Sequence, residues 1–461
     1  MSSTIVTIPN GDGIVSNKNK KFQFSLRSIG SSLVEGKCKP DMIKVIHSVK
    51  VGIALVLVSL FYLLDPLYEE VGDNAMWAIM TVVVIFEFSA GATLSKGINR
   101  GIGTMLGGGL GCLAAILADE VHGRISSAIA VSTSVFIFAA AATYSRLVPS
   151  IKRRYDYGAM IFILTFNLVV VSGVRADEVM KLARDRLSTI GMGFAVCIFT
   201  SLLVFPMWAS DELHHSAATK FEKLACCIEG CLEQYFQTVD EKGKTVDFTT
   251  CMTVLHSKSN DQSLANFARW EPWHGKFGFS YPWEKYLEIG EDLRELAVTI
   301  FSMKGCLQSP TQATSTLKQS IKEPCELVGL SLAWTLRELG ESITIMKKCR
   351  AKVLIFPKLQ PMKLELSRVP FPSKVGEASE NGEGVAIASF LFQLMEMVEK
   401  IECIASDIDH LHLEISKVQI EAKHNINDWL WHMGSVVLRR CYVVLVFITD
   451  PATGKWAEMR V

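Results

Sequence analysis

The residues in this sequence best suited to chemistry are cations at the mouth of an apolar run. Arg175, Lys181, Arg184 and Arg186 lead into residues 187–206, a stretch long enough to cross a bilayer. On a helix, Thr189, Gly193, Cys197, Thr200 and Val204 stack beneath Arg186, while the remaining faces are built of Ile, Phe, Leu and Val. Two readings stand side by side. A cationic head above a small, mildly polar stripe is the chemistry of an anion path, where guanidinium N–H groups replace part of an ion's hydration shell. The same stripe is also what a close-packing seam looks like, with an arginine that reaches for the headgroups. Further polar or ionisable residues lie inside or at the edges of the other apolar runs: Lys44, His47, Lys50, Glu87, Arg100, Asp156 and Asn167. Charge at membrane depth is costly and faces a partner or a water-filled cavity, so this many such residues argue for a solute pathway. Glu87 would repel a permeant anion; it is expected to pair with Lys50 or Arg100, or to carry a proton. A proton-coupling Glu87 is the feature that would favour a carrier over a channel. Arg100, Arg146 and the run Lys152, Arg153, Arg154 sit near cytosolic ends, where headgroup anchoring is the competing reading.

The elements that must position these residues read as six spans, at about 42–64, 75–95, 98–118, 125–145, 156–174 and 187–206. Acidic and basic connectors alternate: 65–74 carries Asp65, Glu69, Glu70 and Asp73, whereas 146–154 carries Arg146, Lys152, Arg153 and Arg154. That pattern predicts cytosolic N- and C-termini. The 175–186 connector then falls outside yet is net basic, and attracting anions is one cause for that. The glycines at 103, 107 and 111 predict a flat ridge for close approach of a neighbouring helix rather than a phosphate loop. After 209 the pattern changes to amphipathic helices at about 211–236, 283–307, 313–349 and 385–422, with 237–262 polar and loop-like.

The expected fold class is therefore an all-α membrane protein, six transmembrane helices followed by a helical cytosolic domain. Its expected parts are a disordered basic arm (1–40) whose sequence holds no cleaved signal peptide, a transmembrane domain (41–208), a cytosolic helical domain (209–355), a flexible Pro- and Gly-containing linker (356–384), and a C-terminal helical segment with an atypical tail (385–461). Arg439 and Arg440 interrupt the apolar stretch 429–449, which favours a partly buried or membrane-surface helix over a seventh span.

Composition excludes several function classes. Lys plus Arg and Asp plus Glu each number 47, so no nucleic-acid partner is implied. The 12 cysteines show neither paired nor zinc-type spacing, and no nucleophile motif or nucleotide loop stands out, so no enzyme, metal or cofactor is expected. Asp407, Asp409, His410, His412 and Glu414 point in several directions on a helix and read as a solvated face; His214 and His215 read as surface, and Trp270, Trp273, Phe277, Phe279 and Trp283 as a packing knot.

Several longer motifs resemble the plant aluminium-activated malate transporters. They include Ile46-His47-Ser48-Val49-Lys50, Asn74-Ala75-Met76-Trp77-Ala78, Glu87-Phe88-Ser89-Ala90-Gly91-Ala92-Thr93-Leu94, Lys96-Gly97-Ile98-Asn99-Arg100-Gly101, Tyr155-Asp156-Tyr157-Gly158, Phe205-Pro206-Met207-Trp208-Ala209 and Trp270-Glu271-Pro272-Trp273-His274-Gly275. The resemblance covers about residues 40–350. It implies an anion channel, gated by voltage or ligand, that assembles as a homodimer in the bilayer and passes malate and inorganic anions such as chloride or nitrate. It implies pathway roles for Arg186 and Arg146, with Lys50 and Arg100 as further candidates, and a gating role for Glu271. Residues 199–205 resemble a segment proposed to respond to GABA. Tyr281 stands where the family's usual histidine precedes a Pro-Trp pair, and Lys181 replaces an acid, which weakens the case for aluminium activation. A plasma-membrane rather than vacuolar location is expected. The alternatives are a proton- or ion-coupled organic-acid carrier, and a membrane-tethered scaffold.

Overall fold

The computed structural model describes residues 40–63, 75–120, 123–173, 179–237, 247–275, 277, 281–308, 315–347, 361, 364 and 381–449, with the side chains of the last stretch described between 384 and 420. The basic arm, the 65–74 connector, most of the 356–384 linker and the end of the tail lie outside these residues. Among the described residues there are twelve helices and no strand beyond one isolated bridge, His274 to Phe277. Contacts divide the chain into Met1–Ile46 and His47–Val461. The described part of the first unit is the opening of helix α1, Pro40–Leu63; all other elements belong to the second.

Within the first half, α2 (Ala75–Ile85), α3 (Ala90–Asp119), α4 (Arg124–Leu147), α5 (Pro149–Gly173) and α6 (Val179–Leu203) follow α1. Five stretches are long and apolar enough to cross a membrane: Met42–Leu60, Ala90–Asp119, Ile125–Leu147, Pro149–Ser172 and Arg186–Leu203. The span expected at 75–95 is not one helix. α2 has 11 residues, about 16 Å of helix, roughly half a hydrocarbon core. The break has a local cause. Ser89 caps α3 by accepting from the Ala92 N–H, and the Thr93 hydroxyl accepts from the Glu87 N–H at 3.0 Å. These side chains supply the bonds that would otherwise continue α2. Lys96, which falls between the expected spans 75–95 and 98–118, and Arg100, at the start of the second, both lie inside α3.

The glycine ridge does what its spacing predicts. A Cβ on Gly103 would lie 2.5 Å from the Gly158 carbonyl oxygen, on Gly107 2.7 Å from that of Phe162, and on Gly111 3.0 Å from Val169. Only glycine permits this approach of α3 and α5, and the register shows them parallel. α3 runs antiparallel to α6: the Ala90 N–H donates to the Met207 carbonyl, and Gly97 abuts Phe194. α1, α2 and α6 share a small core of Ala54, Val58, Ala78, Val82, Phe86 and Cys197.

A second core begins at α7 (Ala209–Phe236), followed by α8 (Thr249–Leu255), α9 (Lys258–Ala268), α10 (Trp283–Gln308), α11 (Ser315–Ile345) and α12 (Asn381–Thr449). The expected apolar face of α7 (Leu213, Phe221, Leu224, Ile228, Leu232) is buried throughout, against α10 and α11. The region expected as a loop at 237–262 contains α8 and the start of α9. Helix α12 has 69 residues, and Phe390, Leu394, Val398, Ile401, Ala405 and Ile408 form its buried stripe. Asp409 and His412 correct the solvated-face expectation: both are buried, and His412 Nε2 lies 2.9 Å from Ser342 Oγ. The aromatic knot forms with a changed membership. Phe277 and Trp283 pack with Tyr281, Tyr286 and His214, whereas Trp273 is exposed.

Candidate functional site

The four cations singled out from the sequence fall into two places. Lys50 and Arg186 belong to the α1–α2–α6 group. Lys50 lies one turn before Ala54, is 1% exposed, and among the described residues its Nζ has no hydrogen-bond partner. That is not the geometry of a lysine reaching for headgroups. The Arg186 guanidinium lies over the Trp77 ring at 4.6 Å, and its Nε and Nη1 are buried without an acceptor among the described residues. A ring face attracts a cation but satisfies none of its in-plane N–H groups. The stripe beneath Arg186 is buried at Thr189, Gly193, Cys197 and Thr200. A Cβ on Gly193 would lie 2.7 Å from the Ala78 carbonyl oxygen, so within one chain this stripe is a packing seam with α2.

Arg100 and Arg146 belong to the α3–α4–α5 group. Arg100 is 7% exposed; its Nη1 donates to the Tyr157 hydroxyl at 3.2 Å, and its Nε is without a partner. Arg146 holds Asp156 through two bonds, Nε to Oδ1 at 2.8 Å and Nη2 to Oδ2 at 3.2 Å. The pair forms because α4 and α5 turn back on each other at Val148. Arg146 also borders a groove of about 520 Å³ along α5, lined by Met160, Ile163, Leu164 and Asn167. Glu87 pairs with Lys96 on α3, not with Lys50 or Arg100.

Glu271 holds a separate junction. It is 3% exposed and accepts from the Ala209 N–H at 2.6 Å, the Ser210 N–H at 3.1 Å and the Ser210 hydroxyl at 2.6 Å. A carboxylate at the first turn of α7 also meets the positive end of the helix dipole. Burial pushes its pKa up, opposed by the Ser210 and Ala209 donors and by His274. His274 stacks on Trp208 at 3.7 Å and places Nε2 2.9 Å from Ser210 Oγ. On the other side, a Cβ on Gly91 would lie 2.7 Å from Glu271 Cγ and 2.3 Å from the Phe267 carbonyl oxygen. One carboxylate thus ties the start of α7 to the loop after α9, with the first turn of α3 packed against it. Trp77, Tyr157, Asp156, Ser210 and His274 were not expected as partners. Pro149 directly after Val148 is the one sequence signal that could have placed Arg146 opposite Asp156.

Five helices among the described residues that are long and apolar enough to cross a bilayer define a membrane protein. The family model described as aluminium activated malate transporter matches residues 37–366, and the chain belongs to that family. It is 43% identical over 347 residues to aluminum-activated malate transporter 13 of Arabidopsis thaliana, an alignment covering 73% of this chain and 62% of that protein. With transporter 10 of the same plant it shares 37% over 411 residues, 80% of this chain and 82% of the relative. With transporter 1 of Triticum aestivum it shares 38% over 327 residues, 68% and 71% of the two chains. The alignments span only 59% to 62% of the length of the Arabidopsis relatives 12, 13 and 14. The match includes Lys50, Arg100, Arg146, Arg186 and Glu271; α12 lies beyond it.

Proposed function

We propose that the chain forms a malate-permeable anion channel that also passes inorganic anions, gated by voltage or ligand and assembled as a homodimer. Its transmembrane domain would comprise 41–208, with α2 completing a set of six membrane elements, and 209–355 would form a cytosolic helical domain. Both termini would be cytosolic, and the plasma membrane is the proposed location. The relatives' names as malate transporters support the substrate. The observation that carries the reading is the state of Lys50, Arg100 and Arg186. Each is a cation among apolar helices with at least one buried N–H group lacking an acceptor. Leaving a buried charged donor unsatisfied is costly, and an anion from solution supplies the missing acceptor. Weak, multi-site binding of this kind also lets the ion leave. Arg146, already paired with Asp156, would contribute field at the pathway's end. Glu271 would couple motion of the first turns of α3 and α7 to opening. Glu87, the residue that would favour a proton-coupled carrier, pairs with Lys96.

Excised-patch recording under malate, nitrate and chloride gradients tests this. Arg186→Ala is expected to cut malate current about tenfold or more, the loss of a charged hydrogen bond, while surface expression persists. An unchanged current would remove Arg186 from the pathway.

A further inference from the structure

Outside the cation groups just described, a polar cavity of about 420 Å³ opens between α7, α8 and the start of α9. Its wall on α7 presents His215, Thr219, Lys220 and Lys223; across from them stand Thr253 and Ser257. No carboxylate lines it. The charge behind the wall is unbalanced. Lys220 and Arg294 share the single carboxylate Asp261, whose Oδ2 lies 2.5 Å from Lys220 Nζ and 3.1 Å from Arg294 Nη1. Arg294 and Lys258 share Glu291 in turn. Lys223 stands close enough to oppose the charge on Lys220, and among the described residues it has no ion pair; its Nζ donates only to Thr253 Oγ1, at 3.2 Å. Four cations therefore face two carboxylates. Lys220 is 5% exposed, Arg294 7% and Asp261 2%, so water screens the two cations on this one carboxylate poorly, whereas Lys258 and Glu291 are about half exposed. Burial lowers the pKa of Lys220; the bond to Asp261 and its charge oppose this, and Arg294 and Lys223 add smaller lowering effects.

We propose that this cavity binds a small multivalent oxyanion, a dicarboxylate or a phosphate. Its oxygens would accept from Lys223 and Lys220, and its charge would offset the surplus; the hydroxyls of Thr219, Thr253 and Ser257, which donate to the His215 carbonyl, the Thr250 carbonyl and Asp261, would have to turn from these acceptors to reach it. Bound there, the anion would tie α7 to α8 and α9, the same segment whose two ends meet at Glu271.

Calorimetric titration of the purified full chain tests this, with malate in one arm and inorganic phosphate in the other, ionic strength being held constant with chloride. Saturable binding of at least one of them is expected, and the tighter arm identifies the ligand's source. Lys223→Gln should weaken that binding about tenfold and Lys223→Arg should largely restore it. Lys223 is half-buried at the rim, so its replacement leaves the core intact; His215→Gln, at an exposed position, is the second variant. Because the readout needs no current, this site and the channel reading fail separately: malate held in the membrane pathway would persist in Lys223→Gln. Absence of binding in both arms overturns the proposal. So does binding that Lys223→Gln and His215→Gln both leave unchanged, or heat that added chloride reproduces.

Discussion

Lys50 and Lys220 are both lysines buried to within a few per cent, and their surroundings differ in kind. Lys220, on α7, faces Asp261 and stands in a network with Arg294 and Glu291. Lys50, on α1, has an apolar helix core one turn away and no partner for Nζ. The contrast extends to arginines. Arg294 in the second half holds both Asp261 and Glu291, while Arg186 in the first half lies over the Trp77 ring and has no ion pair among the described residues. Among the described residues, the buried cations of the second half have carboxylate partners, although Arg294 Nε is unsatisfied, and those of the first half have none, although Arg100 bonds the Tyr157 hydroxyl. In the second half they knit helices together; under the proposed channel reading, those of the first half would take an anion as partner.

The largest expected effect comes from one substitution made at both lysines. Lys220→Met leaves the buried Asp261 with Arg294 and the Ser257 hydroxyl as its partners and should destabilise by about 3–5 kcal/mol. Lys50→Met removes an unpaired buried charge, so thermal stability should hold or rise while malate current falls. If both lose stability alike, the distinction between the halves collapses. Next, Glu271→Gln keeps the shape but weakens the charged bonds to residues 209 and 210, at a cost of about 1–3 kcal/mol; the midpoint of channel activation should shift with it. An unmoved activation curve would leave Glu271 a structural cap. Smaller again, Arg146→Ala should reduce current less than about threefold, because a half-exposed pair with Asp156 already screens its charge. A loss as deep as that of Arg186→Ala would show that Asp156 releases Arg146 in the open state.

The smallest effect concerns pH. Burial, a hydrogen bond with Asp407 and the charges of Asp407, Glu295 and Glu288 raise the Asp292 pKa to about 7. The folded state thus holds a proton that the unfolded chain releases near pH 4. Stability from this group is present at low pH and lost as pH climbs from about 4 to 7. Asp292→Asn should flatten that slope, changing the apparent unfolding temperature by about 2–4 °C across the window. A slope retained in Asp292→Asn would assign it to other groups.

Much of this was legible before any coordinates. The apolar runs, the glycine ridge on α3 and the buried face of α7 are local periodicities, and each appears where its spacing places it. The break at 86–89 was not legible, because the apolar pattern runs straight through it. Only the side-chain caps of Ser89 and Thr93, which compete with helix hydrogen bonds, stop α2 at Ile85. The same spacing left Lys96 between two expected spans, whereas it lies inside α3.

By itself the sequence determined that cations sit within long apolar helices, since residue type and hydrophobic length are properties of the chain alone. It also carried the family motifs. Which cation is paired was decided only by the tertiary structure. Asp156 reaches Arg146 because two helices fold back at Val148, Lys96 reaches Glu87 across a helix break, and Lys50 reaches no partner among the described residues. Ion pairing acts over a few ångströms, and whether two residues come that close depends on how helices pack, which no spacing along the chain encodes.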